Sequence, residues 1–241
     1  MSPARRTHAR RTALAIASGC LVALAVAVVT ADPARDPFPQ TLPRAAHPSG
    51  PVLFRDDFTD TTLSVWTKDR GGVWSVHHGL LRAELPNARQ QHSFLYAGSE
   101  EWRDYAVDLD VCMIRGVDKG VVVRVQGDDG IGVDLRGPGY QDVILQHREW
   151  PMGKARATNA NTVWQHLRVE VLGNRYRVFV NGDLALEATD KKHRRTNGRI
   201  ALSAYTGGNG ECLVYYDHVV VTALAGEVGA MTGGAPGGTG R

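Results

Sequence analysis

The chain has 241 residues, with 28 Lys+Arg against 25 Asp+Glu, a formal charge of +3, 43% hydrophobic residues and 3 cysteines. Four of the basic residues and none of the acidic ones fall in residues 1–31, which leaves 24 basic against 25 acidic residues in the rest. The basicity therefore belongs to the N-terminal segment, and it removes the electrostatic case for a nucleic-acid partner.

Arg5, Arg6, Arg10 and Arg11 precede an apolar run from Ala13 to Val29, and Val29-Thr30-Ala31 follows with small residues before Asp32-Pro33. This order reads as a signal peptide over residues 1–31 or, if uncleaved, as an N-terminal anchor. The expectation is a protein secreted, or held at the outer face of the cytoplasmic membrane with that segment as its one membrane link. Residues 32–51 are proline-rich and read as an extended linker. Residues 52–224 form one domain, long enough for a single core. Residues 225–241 are glycine-rich and read as a disordered tail.

Within the domain, short apolar runs come at regular spacing. Val52–Phe58 opens it, and Val73–Val76 and Leu80–Glu84 flank a turn at His77-His78-Gly79. Ser93–Tyr96 is short, whereas Tyr105–Ile114 is long and alternates well. Gly120–Gln126, Ile131–Arg136 and Asp142–Arg148 read as a meander. Val163–Val171 and Arg175–Gly182 flank Gly173-Asn174, a hairpin signal, and Asn181-Gly182 is a second one. Gly198–Leu202 and Tyr215–Val221 complete the set. Apolar and polar residues alternate with period two, so each strand has one buried and one wet face. No segment has a helical period. The fold class is all-β, a jelly-roll sandwich of two antiparallel sheets.

Beyond the N-terminal segment two cysteines remain, Cys112 and Cys212. An even count in an exported chain predicts a disulfide. Pairing Tyr105–Met113 antiparallel with Leu213–Val221 would set Cys112 opposite Cys212 and Val107 opposite Asp217, a separation a disulfide can span.

Parity within the meander gives the candidate site. Val121, Val123 and Val125 share one face, leaving Val122, Arg124 and Gln126 on the other. Asp134 and Arg136 oppose Ile131, Val133 and Leu135, and Gln146, Arg148 and Trp150 share a face. Strand pairing brings together Arg124, Asp134, Arg136, Gln146, Arg148 and Trp150. Planar donors and acceptors beside an aromatic ring suit the hydroxyls and C–H face of a sugar. Trp66, Trp74 and Trp164 are assigned to the core. The run Lys191-Lys192-His193-Arg194-Arg195 is read as a solvated loop. Neither His-Glu-x-x-His nor paired Cys-x-x-Cys occurs, so no zinc site is expected.

Phe54-Arg55-Asp56-Asp57-Phe58, Leu63, Trp66, Val73-Trp74-Ser75-Val76, Trp102-Arg103-Asp104-Tyr105, Gly120-Val121-Val122-Val123-Arg124, Val180-Asn181-Gly182 and Asp217-His218-Val219 together resemble a concanavalin A-like lectin/glucanase jelly roll. Nearest are the 3-keto-disaccharide hydrolase domain and the levan-binding or LamG-like carbohydrate modules. The resemblance implies that ligands lie on a concave sheet face, and that a structural calcium could sit where first and last strands meet, on Asp57 and Asp217; no other cofactor is implied. The E-x-D-x-x-E pattern of the hydrolase branch is absent. Asp108 and Asp110 alternate on one strand and are read as a solvated face. The expected function is glycan recognition by a carbohydrate-binding module. The alternatives are a glycoside hydrolase of the 3-keto-disaccharide type and a cell-surface module with a protein partner.

Overall fold

A computed structural model describes residues 50–224 apart from Glu149 and His193. The signal or anchor, nearly all of the linker and the glycine-rich tail lie outside the described residues. Among those residues fifteen strands form and no helix. In chain order they are β1 (Val52–Asp56), β2 (Thr67–Lys68), β3 (Trp74–His77), β4 (Leu80–Leu85), β5 (His92–Ala97), β6 (Tyr105–Arg115), β7 (Asp118–Gln126), β8 (Asp129–Arg136), β9 (Asp142–His147), β10 (Trp150–Arg156), β11 (Gln165–Leu172), β12 (Arg175–Val180), β13 (Asp183–Thr189), β14 (Arg199–Tyr205) and β15 (Cys212–Ala223).

Two antiparallel sheets share one core. The first is eight-stranded, in the order β13-β12-β11-β6-β15-β4-β3, with β1 also pairing β15. The second is seven-stranded, in the order β10-β9-β8-β7-β14-β5-β2. Alternation decides what each strand buries. Tyr105, Val107, Leu109, Val111 and Met113 of β6 face Val121, Val123, Ile131, Val133 and Leu135 of β7 and β8 across the sandwich. Gly173-Asn174 and Asn181-Gly182 do turn the chain, between β11 and β12 and between β12 and β13. Strand β13, after the second turn, and β10 are not apparent from the sequence pattern. Strand β10 carries Pro151 and Gly153, residues that weaken a strand signal, and as the outermost strand of its sheet it tolerates both. Trp66 and Trp74 are buried in the core, whereas Trp164 packs against a small cluster on the outer face of the first sheet.

The disulfide expectation is overturned. Both cysteines are free and buried. Cys112 lies opposite Tyr215, and Asp217 lies opposite Asp110 rather than Val107, so the register is displaced by three residues. An odd displacement reverses the face. Cys212 consequently faces the main core, while Cys112 packs on the outer side with Leu80, Ile114, Leu213 and Tyr215. Burial pushes the thiols up, to about 11 for Cys112 and about 12 for Cys212.

Arg124 also departs from its expected place. It sits at a bulge in β7, where the registers with β8 and β14 both shift, and its φ is +53°. The extra residue resets the strand's alternation. Arg124 is fully buried and turns across the sandwich toward the first sheet. Its amide donates to the Tyr105 hydroxyl at 2.6 Å. Its guanidinium donates to the carbonyls of Gly173, Arg195 (2.9 Å) and Arg103 (3.2 Å), and lies 5.4 Å from the centre of the Tyr176 ring. Gly198 must be glycine here: its φ is +148°, and a Cβ would stand 2.3 Å from the Arg124 carbonyl carbon.

Replacing Arg124 by Met would remove the one donor that these three carbonyls share. The expected loss is on the order of 3 kcal/mol. Chemical denaturation checks it, and an unchanged midpoint would show the tie to be dispensable.

Candidate functional site

The open face of the second sheet owes its shape to residue size. Reading across β9, β8, β7, β14 and β5, the register sets Gln146, Gly132, Val122, Ala201 and Tyr96 in one row. Ile144, Asp134, Gly120, Ser203 and Phe94 make the next. Asp142, Arg136, Asp118, Tyr205 and His92 make the third. Large side chains stand on the outer strands. In the first two rows glycine, alanine, serine and valine dominate the middle, so the face is hollowed along the strand direction. The trough has a volume of about 670 Å³.

One wall is aromatic. The ring centres of His92 and Phe94 are 5.9 Å apart, those of Phe94 and Tyr96 6.1 Å, and Tyr205 stacks on His92 at 3.9 Å. The floor is acidic. Asp134 accepts a hydrogen bond from Gln146 Nε2 at 2.9 Å. Burial pushes its carboxyl up to about 7, and the charge of Asp118 adds to this; Gln146, Arg136 and Ser203 oppose the shift without cancelling it. Asp118 is raised too, by burial first, with Asp142 adding against the pull of Arg136. His92 is held below its usual range by burial and by Arg70, which favours the neutral ring. Arg136 is committed to Asp142 through two hydrogen bonds of 2.8 and 2.9 Å, and it covers the Tyr140 ring at 4.4 Å.

The trough thus gathers Asp134, Arg136, Gln146 and Arg148 from the sequence-derived set. Arg148 stands at the rim, exposed, with Nε 3.4 Å from Asp129. Arg124 is absent because of its bulge, and Val125 lines the trough in the same strand. Trp150 does not line it either: β9 stops at His147, a turn with Arg148 at φ +54° intervenes, and Trp150 begins β10 with 73% exposure. Sequence parity missed His92, Phe94, Tyr96, Tyr205, Asp118 and Ser203. A signal for the first three existed, since aromatics at alternate positions opposite Ser93, Leu95 and Ala97 leave rings on a face that water would otherwise cover.

Asp108 and Asp110 are not a solvated face. They are 3% and 2% exposed, on the outer side of the first sheet. Arg168 donates to Asp108, while His166 and His218 sit 2.9 and 3.1 Å from Asp110. Hydrogen bonds to Asp108 and Asp110 push His166 up to about 9, so it stays charged at neutral pH. Asp217 lies beside this cluster, accepts the His218 amide at 2.8 Å, and is raised to about 6 by burial. Asp57 is exposed and accepts from the Thr59 hydroxyl at 3.1 Å. Neighbouring Asp56 is spent on the Phe58 amide and the Trp66 indole. Among the described residues no group of three or more His, Cys, Asp or Glu could hold a metal ion. In the loop after β13, Arg194 pairs with Asp190 and Arg195 with Asp129, so these two arginines are tied down rather than solvated.

Replacing Asp134 by Asn is expected to raise the melting temperature at pH 8 and leave it unchanged near pH 4. The sign follows from a folded-state pKa raised above the unfolded one: ionisation penalises the folded state progressively from about pH 4 to pH 7. Thermal melts across that range check it, and equal melting temperatures at pH 8 would contradict the burial of this carboxyl.

Residues 53–222 match the model of the 3-keto-alpha-glucoside-1,2-lyase-like domain. No curated protein is significantly similar to the chain. Among solved structures, the carbohydrate-binding module CBM66 from Bacillus subtilis superposes with a TM-score of 0.56 at 15% identity, covering 66% of this chain and 96% of that one. A putative glycosyl hydrolase from Parabacteroides distasonis gives 0.50 at 15% identity, covering 71% and 100%. The alginate lyase Aly36B, in complex with an alginate trisaccharide, gives 0.52 at 13% identity, covering 73% and 100%. At these identities the likeness is one of fold, the concanavalin-like jelly roll.

Proposed function

Since the chain belongs to the 3-keto-alpha-glucoside-1,2-lyase-like domain family, we propose that the trough of the second sheet holds a saccharide and that the protein recognises a glycan outside the cell. The observation that carries this reading is the pairing of an aromatic wall, His92, Phe94 and Tyr96, with a floor of hydrogen-bonding groups, Asp134, Gln146 and Ser203. A pyranose has an apolar C–H face and an equatorial ring of hydroxyls, and this trough offers a surface for each. Its volume falls within the range of about 300–1,000 Å³ usual for small-molecule sites. The carbohydrate-binding module among the similar structures supports the reading. Export rests on residues 1–31, which lie outside the described residues.

Asp134 and Asp118 favour a second reading, cleavage of a glycosidic bond. In a sugar carrying a ketone at C3, the C2–H is acidic. An ionised carboxylate can take that proton. The C2–H electron pair then forms the C1–C2 double bond, and the C1–O bond breaks with its electrons going to the glycosidic oxygen. That oxygen takes a proton from the neighbouring carboxyl, the one that titrates near neutrality. Asp118, whose charge raises its neighbour, is the base in this scheme and Asp134 the acid. Hydrolysis would use the same two carboxyls on either side of the bond.

A glycan array spanning neutral, amino and acidic sugars tests the first reading. Signal on the wild-type protein that falls at least tenfold in Gln146→Ala and Phe94→Ala, about the loss of one or two good contacts, is the expected outcome. No signal on any glycan would end it. Incubation with 3-keto glycosides, followed by release of the aglycone, tests the second: it is expected to be lost in Asp134→Asn, and no release by the wild-type protein would end that reading.

A further inference from the structure

Resting on the saccharide reading above, we infer that the third row of the trough is a slot for one planar aromatic ring, so that the ligand is an aryl glycoside whose sugar lies over the first two rows.

Two stacked pairs frame the slot. In the third row Arg136, Asp118 and Tyr205 stand side by side on β8, β7 and β14. Each of the two large groups turns away from the middle strand. Arg136 gives two hydrogen bonds, of 2.8 and 2.9 Å, to Asp142 on the β9 side, and its guanidinium lies 4.4 Å from the centre of the Tyr140 ring. Tyr205 stacks at 3.9 Å on His92, on the β5 side, and its hydroxyl donates to Gln90. Between the pairs stands only the short side chain of Asp118. The cavity reaches this gap, since Asp118, Arg136, Tyr140, Tyr205 and Gly207 all line it. Tyr140 is 56% exposed, so its ring is open to a ligand.

Width selects the occupant. Arg136 and Tyr205 lie two strands apart, about 9.6 Å between backbones. A ring standing over β7 has one wall about 4.8 Å to either side, inside the roughly 4.5–7 Å at which aromatic rings pair. The gap takes one ring and no more. A pyranose would turn its hydroxyls toward ring faces and toward a guanidinium already spent on Asp142. An aryl ring has no such hydroxyls and offers its π face to tyrosine and guanidinium alike. The far end of the slot is bare backbone. Gly207 has φ +56°, and a Cβ there would stand 3.1 Å from Asp118 Oδ2. Its carbonyl accepts the Gln90 amide at 3.0 Å, which fixes the backbone where ring substituents would pass. At the near end, one step back along the strands, Gly120 and Ser203 lead to the low floor beside Asp134 and Gln146, where the sugar lies.

The test is calorimetric titration of the full protein with methyl, cyclohexyl and phenyl glycosides of glucose, galactose and mannose, in both anomers. In one sugar series the phenyl glycoside is expected to bind about tenfold tighter than the methyl glycoside, the sum of two stacking contacts. The cyclohexyl glycoside, similar in apolar size but puckered, is expected to bind about threefold or more weaker than the phenyl one. Tyr140→Ala, a substitution at an exposed ring, and Tyr205→Ala are each expected to cut the phenyl-to-methyl ratio to about threefold or less. Phenyl and methyl glycosides of equal affinity would overturn the slot while leaving saccharide recognition standing. So would a cyclohexyl glycoside bound as tightly as the phenyl one, or an unaltered ratio in either variant. Failure of every glycoside to bind, beside a positive glycan array, would overturn the slot too. No binding in any series, together with a blank array, would remove the underlying reading as well.

Discussion

The architecture depends on one buried cation. Arg124 leaves the second sheet at a bulge and spends its guanidinium on backbone carbonyls from three separate loops, at Arg103, Gly173 and Arg195. Burying a guanidinium costs several kcal/mol unless acceptors surround it. Those carbonyls in turn share one donor. The two requirements meet at one point, and the ends of both sheets are fastened together there. The same bulge reverses the alternation of β7, so that Val122 and Val125 reach the trough while Arg124 does not. A structural demand at one end of the strand thereby sets which residues a ligand can meet.

The trough follows from a gradient of side-chain size across five strands rather than from any loop. Through the first two rows the central strands offer mainly glycine, alanine and serine where the outer ones offer phenylalanine, tyrosine, glutamine and isoleucine. Because a sheet is rigid, such a surface is largely shaped before a ligand arrives, and little ordering entropy is lost on binding. Its aromatic and acidic sides are held apart by strand spacing.

Aspartates in similar sequence settings meet opposite fates in this fold. Asp108 and Asp110 on the outer side of the first sheet are answered by the charges of Arg168 and His166, with His218 within hydrogen-bond reach of Asp110. Asp134 is half-buried beside Asp118, and desolvation raises its proton affinity toward neutrality. Asp108, Asp110 and Asp134 each lie between apolar residues on their strands, so the pattern alone does not distinguish them. The difference comes from what the neighbouring strands place alongside.

The sequence by itself determined the sandwich. Alternation over β6, β7, β8, β11, β12 and β15, with Gly-Asn and Asn-Gly turns, suffices because hydrophobic period two and turn chemistry are local properties. The same alternation placed Asp134, Arg136 and Gln146 on one face. Tertiary structure alone decided the rest. A register displaced by three residues separated Cys112 from Cys212, and a bulge withdrew Arg124. Strand pairing set His92, Phe94 and Tyr96 across the trough from Gln146. Register and bulges depend on partners distant in the chain, and one residue of slippage exchanges the faces of a strand. Which charge meets which is therefore settled by pairing, and no stretch of the chain carries that information alone.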